Sequence, residues 1–257
     1  MIILLSPAKI QNYKPQNQIA DYTLPLFISK SEKVISKLKE LSISETANLL
    51  KVNFKIAEQA HNHHFSWNKN HTLENSKQTA WVFNGEAYRG LDVNTFSKED
   101  IDYAQQHLRI LSGLYGMLRP LDLLQPYRMD VGDETNDFLG INLYHFWGKE
   151  VNKTLAETIQ NLEEPKIILN LMSKEYSKLL NRKNFNAKII DVEFLEYQPD
   201  TEKYKPIVVY IKKARGMMTR FVIKNKITEA EDLKAFSEEG YWFNEQLSSE
   251  NTLVFVR

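Results

Sequence analysis

The 257-residue sequence contains no cysteine. This absence excludes disulfide bonds, cysteine-ligated zinc or iron–sulfur centres, and thiol nucleophiles or redox sensors. Glycine and proline are scarce, at 9 and 8 residues, so the chain is neither collagen-like nor of low complexity. With 42% hydrophobic and 26% charged residues, a chain of this length can bury a substantial core, which excludes wholesale disorder.

Long apolar runs and the common catalytic motifs are also missing. No run approaches the roughly 18 apolar residues that a transmembrane helix needs. The apolar start, Met1–Leu5, is interrupted at once by Ser6-Pro7-Ala8-Lys9, unlike a secretory signal peptide, and we expect a cytoplasmic protein. There is no Walker A loop, Gly-x-Gly-x-x-Gly, Gly-x-Ser-x-Gly elbow or His-Glu-x-x-His. The common nucleotide-binding, hydrolase and metalloprotease classes are therefore disfavoured, and we expect no cofactor.

Strand and helix patterns are intermixed along the chain without strict alternation. Apolar runs predict strands at Met1–Leu5, Thr79–Phe83, Ile167–Leu171, Ala187–Tyr197, Pro206–Ile211, Tyr241–Phe243 and Thr252–Val256. Helical spacing predicts two helices within Ser31–Leu50 and others at Ser97–Ser112, Pro120–Leu124, Leu143–Ile159, Ser173–Leu180 and Met217–Lys226. No segment has linker composition. We therefore predict one compact domain over residues 1–257, of mixed α/β (α+β) class, and favour a monomer.

Charge is balanced overall but unevenly distributed. Lys plus Arg and Asp plus Glu number 33 each, so bulk charge predicts neither nucleic-acid nor membrane binding. Residues 105–128 carry three arginines against only Asp122: Arg109, Arg119 and Arg128. Residues 203–226 contain no acid and include Lys203, Lys205, Lys212, Lys213, Arg215, Arg220, Lys224 and Lys226. Cations at the end of a predicted strand could hold phosphates. They could equally form a solvated face that the acids following residue 226 neutralise.

Two glycines, Gly113 and Gly116, lie between two predicted helices, which is the outline of a helix-hairpin-helix. In that motif the backbone approaches a phosphate closely, and amides at the second helix N-terminus point at the anion without reading bases. Leu114 and Tyr115 separate the glycines here, one residue more than usual. An ordinary helix C-cap and turn is therefore the alternative.

Polar groups follow three predicted strands, where sites in sheet proteins often lie. They are Ser6 and Lys9, then Asn170, Ser173 and Glu175, then Lys212 and Arg215. A Lys–Glu pair could serve acid–base chemistry and Lys9 could act as a nucleophile, although capping and surface ion pairs would explain the same residues. We take Ser6, Lys9, His107, Asn170 and Glu175 as candidate catalytic residues, with His107 equally able to be a core residue.

Three histidines, His61, His63 and His64, cluster near His71. Clustered histidines can ligate zinc or nickel, usually with an additional ligand on fixed secondary structure. Asn and Lys surround this stretch, so we interpret it as a mobile surface loop and predict no metal site.

Taken together, these segments resemble the YaaA family of bacterial peroxide-stress proteins. The resemblance rests on motifs spread from residue 5 to the C-terminal strands: Leu5-Ser6-Pro7-Ala8-Lys9, Phe83-Asn84-Gly85-Glu86-Ala87-Tyr88-Arg89-Gly90-Leu91, Gln106 to Gly116, Leu118 to Asp122, Gln125 to Arg128, Phe146-Trp147-Gly148, Glu175-Tyr176, Lys212 to Gly216 with Arg220, and Glu239-Gly240-Tyr241. The run from Gln106 to Arg128 is the most specific of them.

The resemblance implies a single α/β domain of unusual topology, a basic cleft with a helix-hairpin-helix-like element, and sequence-independent binding of duplex or branched DNA during peroxide stress. It assigns the hairpin role to Gly113, Leu114, Tyr115 and Gly116. It assigns the cleft role to Arg109, Arg119, Arg128, Lys212, Lys213, Arg215 and Arg220. An enzyme acting on a nucleic acid, nucleotide or nucleobase through Ser6, Lys9, Asn170 and Glu175 is the alternative function.

Overall fold

The computed structural model describes residues 1–14, 20–163 and 165–257. Its strands are β1 (Ile2–Leu5), β2 (Lys77–Gln78), β3 (Leu108–Ser112), β4 (Gly116–Leu118), β5 (Leu123–Leu124), β6 (Ile167–Leu171), β7 (Lys188–Gln198), β8 (Lys203–Lys205), β9 (Trp242–Phe243) and β10 (Thr252–Val256). Its α-helices are α1 (Ile28–Lys39), α2 (Ile43–Leu50), α3 (Phe54–Ser66), α4 (Thr79–Val82), α5 (Glu86–Leu91), α6 (Lys98–His107), α7 (Thr135–Leu139), α8 (Leu143–Gln160), α9 (Lys174–Ser177) and α10 (Val208–Asn225).

One mixed sheet organises these elements. Its strand order is β4-β3-β1-β6-β7-β10-β9, and β8 pairs with β7 beyond that path. The pairs β3–β1, β1–β6, β6–β7 and β7–β10 are parallel, whereas β4, β8 and β9 pair antiparallel. The predicted mixed α+β class is thereby confirmed. None of the helices in the described residues is long and apolar enough to cross a membrane.

The centre of the sheet is built from the continuous apolar runs. Every residue of β1 and of β6 is buried, and each strand pairs with a neighbour on both edges. Such strands show no apolar–polar alternation because neither face meets water. β1 and β6 run parallel in register from Ile2 with Ile168 to Leu5 with Leu171, so their carboxyl ends lie side by side.

A close helix contact holds α5 against α10. A Cβ added to Gly216 would lie 1.7 Å from the carbonyl oxygen of Ala87, and one added to Gly90 would lie 2.1 Å from that of Lys213. Only glycine permits this backbone approach. The contact brings Arg89 of α5 beside the first turns of α10, at the carboxyl ends of β1 and β6.

The predicted helix-hairpin-helix is wrong. α6 begins at Ser97 with the predicted capping box to Asp100 but ends at His107. Leu108–Ser112 continues as β3 and turns through residues 113–115 into β4 as an antiparallel hairpin. Every residue of β3 is buried, whereas a helix with one apolar face would expose part of the run. The predicted helix Pro120–Leu124 is a turn followed by β5.

Three other predicted elements are corrected. Thr79–Phe83 forms the single helical turn α4 rather than a strand. The β-branched run Pro206–Ile211 enters the long helix α10, because α10 packs on α5 through its central glycine and leaves residues 208–210 exposed. A strand in the core would have buried those side chains. The histidine cluster lies on α3 and not on a loop, with Ala57, Ala60 and His64 forming its buried stripe.

Candidate functional site

A cavity of about 490 Å³ opens where β1 and β6 end. Strand β1 leads directly into Ser6 and β6 into Ser173, so adjacent parallel strands deliver both hydroxyls to one edge. The carboxyl ends of parallel strands are the usual location of ligand sites in such sheets. The cavity is lined by Leu5, Ser6, Pro7, Ala8, Lys9, Ile10, Gly85, Glu86, Ala87, Arg89, Asp130, Leu171, Ser173, Glu175, Tyr176, Lys212 and Arg215.

Hydrogen bonds fix the floor of this strand-end cavity. The Ser173 N–H donates to Ser6 Oγ over 2.9 Å, and the two hydroxyl oxygens are 3.3 Å apart. Ser173 is also the predicted N-cap of α9, since its Oγ accepts from the Tyr176 N–H. The phenol of Tyr88 donates to the Ser6 carbonyl over 2.9 Å. Ser6 is thereby held rigidly at the junction of β1, α5 and α9.

One wall of the cavity carries a chain of charged and polar groups. Lys9 Nζ lies 3.2 Å from an Asp130 carboxylate oxygen, and the Tyr176 hydroxyl donates to the other oxygen over 3.1 Å. Glu175 accepts from the Gly132 N–H over 3.2 Å. The Lys9 side chain is largely exposed, so its ammonium remains accessible to a ligand.

The lining also includes cations from α5 and α10. Arg215 and Lys212 of α10 face the cavity together with Arg89 of α5, whose guanidinium is 2.5 Å from Glu86. Burial lowers the pKa of Arg215, which still remains charged at neutral pH. The Arg215 Nε is a buried donor, and no acceptor in the described part of the chain satisfies it. Lys212 is exposed and forms no ion pair with any described residue.

Acidic groups of the loop that follows β5 lie close to Lys9. The Asp133 carboxylate accepts from the Asp130 N–H over 2.7 Å, and burial raises the pKa of Asp133 to about 6. The positive charge of Lys9 opposes that rise in the pKa, while Asp130 and Glu175 add to it. The lining of the strand-end cavity therefore combines carboxylates with cations, which suits a ligand with an anionic end and hydrogen-bond donors.

Two of the candidate catalytic residues lie elsewhere. The Asn170 amide donates to Asp191 over 2.7 Å and its oxygen accepts from the Met172 N–H, so it ties β6 to β7 and does not line the cavity. His107 lies at the other end of β1, where its Nδ1 is 2.8 Å from the Met1 carbonyl and its ring stacks on Tyr103. Ser6, Lys9 and Glu175 do share the cavity, as strand-end placement predicts.

The glycine hairpin is buried. Leu114 and Tyr115 have no exposed surface, and a Cβ on Gly116 would meet the Trp147 ring at 2.6 Å. The Tyr115 hydroxyl accepts from the Trp67 indole over 2.7 Å and is 2.9 Å from His71 Nε2. Gly113 is equally enclosed. The hairpin backbone is part of the core and leaves a ligand no access.

Four predicted cleft cations are already engaged within the protein. Arg109 is 7% exposed and donates to the carbonyls of Gln105 and Leu108. The others form ion pairs with side chains nearby or distant in sequence: Arg119 with Asp122, Lys213 with Glu239 and Arg220 with Glu238. Arg128 lies on the neighbouring loop, with its backbone carbonyl 3.0 Å from His64 Nε2. Of the predicted cleft residues, Lys212 and Arg215 are the two that line the strand-end cavity.

The histidine cluster does not form a metal centre among the described residues, which hold no group of three or more potential ligands. Burial lowers the pKa of His64 to about 4, so its ring is neutral at physiological pH. Burial also lowers the pKa of His63. The His64 ring contributes to the packing of α3 against the loop at Arg128.

Sequence reasoning missed Asp130 as a functional residue. It lies in an irregular loop with no strand or helix pattern, and neither charge runs nor motif spacing mark it. The only available signal was its position two residues beyond Arg128, at the end of the Gln125–Arg128 motif. Its importance follows from long-range contacts with Lys9 and Tyr176, which no local pattern encodes.

Comparison with protein families identifies the chain. A family model described as peroxide stress protein YaaA matches residues 1–247. The match spans β1 through the segment after β9, including every residue that lines the strand-end cavity. The chain belongs to the peroxide stress protein YaaA family.

Proposed function

We propose that this member of the peroxide stress family binds DNA through phosphate contacts in the strand-end cavity, largely independently of sequence. Arg215 and Lys212 are the groups that would hold the phosphate. The buried glycine hairpin takes no part in this proposal, nor do Arg109, Arg119 and Arg220, whose guanidinium groups are occupied.

The observation that carries the proposal is the state of Arg215. It lines the cavity, and its Nε–H is a buried donor with no acceptor among the described residues. Buried donors are nearly always satisfied, so a guanidinium that lines a cavity and has an unsatisfied Nε–H is a candidate to hold a ligand oxygen. A guanidinium matches a phosphate in geometry and charge. The adjacent ammonium of Lys212 adds to the local positive potential.

The rest of the cavity suits a nucleotide. Its volume of about 490 Å³ is within the usual range for small-ligand sites. Leu5, Ala8 and Ala87 supply apolar surface for a base or sugar, whereas Ser6 and Glu175 supply polar groups. These contacts would hold one nucleotide while the cations hold its phosphate.

The test is a DNA titration of Arg215→Ala with Arg220→Ala as the matched control. Both residues are arginines of α10, but the Arg220 guanidinium already pairs with Glu238. Fluorescence anisotropy at several salt concentrations gives affinity and salt slope. We expect Arg215→Ala to weaken binding on every sequence tested and to reduce the slope by roughly 0.7 to 0.9. Arg220→Ala should retain the wild-type slope. Wild-type affinity that does not change with salt would contradict phosphate contacts.

An enzyme acting on a nucleic acid or nucleotide is the second candidate. It is favoured by one observation, the presence of Ser6, Lys9 and Glu175 in the same cavity as Arg215. The Lys9–Asp130–Tyr176 chain could deliver a proton while Glu175 accepts one. Incubating the protein with oligonucleotides and nucleotides and analysing them by mass spectrometry tests this reading. A product that disappears with Glu175→Gln would support it, and unchanged substrates would leave binding as the function.

A further inference from the structure

A short acidic segment, residues 238–240, lies against α10. Glu238 forms an ion pair with Arg220, and Glu239 forms one with Lys213 over 2.5 Å. Lys213 and Arg220 are seven residues apart on α10, close to two helical turns, so they share one side of the helix. Two adjacent glutamates therefore neutralise two cations on the same side of α10.

The backbone of this segment has an uncommon conformation. Glu239 has a φ of 48° and a ψ of 36°, in the left-handed region, and Gly240 follows with a φ of 80°. A residue other than glycine keeps such a conformation where its surroundings fix it. The Glu239 carboxylate contacts Lys213 through one oxygen and lies 3.5 Å from the Arg257 guanidinium through the other. Arg257 also donates to the Glu239 carbonyl over 3.1 Å, so the carboxylate is held against α10.

Both ion pairs remain in contact with solvent. The four side chains are between 24% and 41% exposed. The hydrogen bond from Lys213 lowers the pKa of Glu239, so this carboxylate is charged at neutral pH. A phosphate that approached either cation would have to take the place of a carboxylate. Lys213 and Arg220 are therefore accessible in position but occupied in charge.

The two occupied cations belong to the same helix as the cations of the strand-end cavity. Lys213 directly follows Lys212, which lines the cavity together with Arg215. Successive residues of a helix point about 100° apart, so Lys213 adjoins the cavity without lining it. Lys213 and Arg220 are about 10 Å apart along the helix axis, close to the rise of three successive phosphates of a DNA strand at about 3.4 Å each. Without the glutamates, α10 would offer two further cations at a spacing that suits a phosphodiester backbone.

We propose that Glu238 and Glu239 mask a second phosphate-binding surface on α10, formed by Lys213 and Arg220. The mask limits the number of phosphates that the protein can contact and so restrains its affinity for DNA. Contacts to phosphates read no bases, so the masked surface would fit the backbone of any DNA sequence. This inference rests on the proposed function, because it concerns further contacts to the same DNA. It also gives a role to two of the acids that follow the basic stretch in the sequence.

The experiment is a double-mutant cycle, with the binding of a labelled DNA duplex measured by fluorescence anisotropy at several salt concentrations. The first variant carries Glu238→Gln with Glu239→Gln, which removes two negative charges and keeps the shape of the side chains. The second carries Lys213→Ala with Arg220→Ala, and the third combines all four substitutions. Glu238→Gln alone is a milder variant that frees Arg220 and leaves the contacts of Glu239 in place.

The matched control is Glu231→Gln with Asp232→Asn. It removes the same amount of charge from two exposed acids of the same stretch, and neither acid pairs with a cation of α10 within the part of the chain described. Arg215→Ala reports on the strand-end cavity itself. Circular dichroism shows that each variant is folded before its affinity is compared with that of the wild type.

We expect Glu238→Gln with Glu239→Gln to bind the duplex more tightly and with a steeper salt dependence. Two further phosphate contacts correspond to an increase of about 1.8 in the salt slope and to roughly 60-fold tighter binding at 0.1 M salt. Glu238→Gln alone should give about half of that increase in slope. Lys213→Ala with Arg220→Ala should bind as the wild type does, and so should the combined variant. The control should keep the wild-type slope.

Two results overturn the inference alone. One is a wild-type affinity and salt slope in both glutamine variants while Arg215→Ala still weakens binding. The other is a gain in affinity that persists in the combined variant or that the control reproduces, since the gain would then come from net charge and not from the two cations. If the wild type does not bind DNA, or if Arg215→Ala changes nothing, the proposed function fails as well.

Discussion

The two basic stretches of the chain, residues 105–128 and 203–226, differ in how many of their charges are already neutralised. In the first, Arg119 pairs with buried Asp122 and Arg109 donates to backbone carbonyls. In the second, Lys203, Lys205 and Lys212 have no ion-pair partner in the part of the chain described. Charge density along a sequence therefore does not measure the charge available to a ligand. Arg109 and Arg119 of the first stretch are engaged within the fold, whereas the second stretch mixes lysines without an ion pair among the described residues with Lys213, Arg220 and Lys226, which pair with Glu239, Glu238 and Asp100.

Arg119→Ala should give the largest effect, and it should be on stability. Asp122 has no exposed surface, and Arg119 Nη2 lies 2.8 Å from its carboxylate. Removing one partner of a buried pair leaves an uncompensated charge, which costs about 3 to 5 kcal/mol. Urea unfolding of the wild type and the variant measures the change in the free energy of unfolding. A loss below about 1 kcal/mol in the free energy of unfolding would mean that the Arg119–Asp122 pair does not stabilise the fold.

Leu114→Ala comes next and tests the buried hairpin directly. Because Leu114 is fully buried between β3 and β4, we expect a loss of about 3 kcal/mol in the free energy of unfolding. The salt slope of DNA binding should not change. An exposed helical hairpin would give the reverse pattern, with almost unchanged stability and weaker binding.

His64→Gln tests whether a buried histidine contributes to the pH dependence of stability. Burial lowers the pKa of His64 to about 4, so the unfolded chain, with its ordinary value near 6.5, takes up the proton first as pH falls. The folded state should therefore lose about 2 kcal/mol from this group between pH 7 and pH 5. His64→Gln should remove that part of the acid sensitivity.

The control for the pH experiment is His145→Gln, which changes an exposed histidine on α8. Its pH dependence of stability should match the wild type. Equal acid sensitivity of wild type and His64→Gln in urea unfolding would contradict the assignment to the buried ring.

The smallest effect comes from two adjacent lysines of α10. Lys213 pairs with Glu239, whereas Lys212 lines the cavity and pairs with no acid in the part of the chain that the structure describes. Either alanine substitution should change stability by less than about 0.5 kcal/mol, because both side chains are solvent-accessible. Only Lys212→Ala should reduce the salt slope of DNA binding, by roughly 0.7 to 0.9. If both substitutions reduced the salt slope equally, the distinction between ion-paired and free lysines would be wrong.

Local patterns predicted the elements whose burial is either continuous or follows a single helical stripe. β1, β6 and α8 follow directly from their apolar runs and spacing. The hairpin and the start of α10 could not be predicted. Leu108 and Leu111 fit a helical spacing as well as a strand, and the β-branched residues before Ile211 favour a strand until Gly216 packs α10 onto α5.

The candidate site was predictable only in part, because some of its residues are brought together by contacts that are distant in the sequence. Ser6, Lys9, Glu175 and Arg215 converge as expected, the first three because they follow parallel strands. Arg215 also lines the cavity as predicted, but it lies on helix α10 and not at the end of a strand. A count of charges along the sequence does not show which cations pair with acids that are distant in the chain. The sequence therefore predicts the same role for Lys212 and Lys213.

The position of β1 in the sheet constrains the order of folding. Its neighbours, β3 and β6, lie more than a hundred residues later in the chain, at Leu108 and Ile168. During synthesis this apolar tetrapeptide has no strand to pair with until β3 has been made, and its other edge stays unpaired until β6 has been made. Non-local parallel pairing of this kind is slow and leaves intermediates that are prone to aggregate. The ribosome-bound nascent chain should therefore depend on chaperones until β6 has emerged.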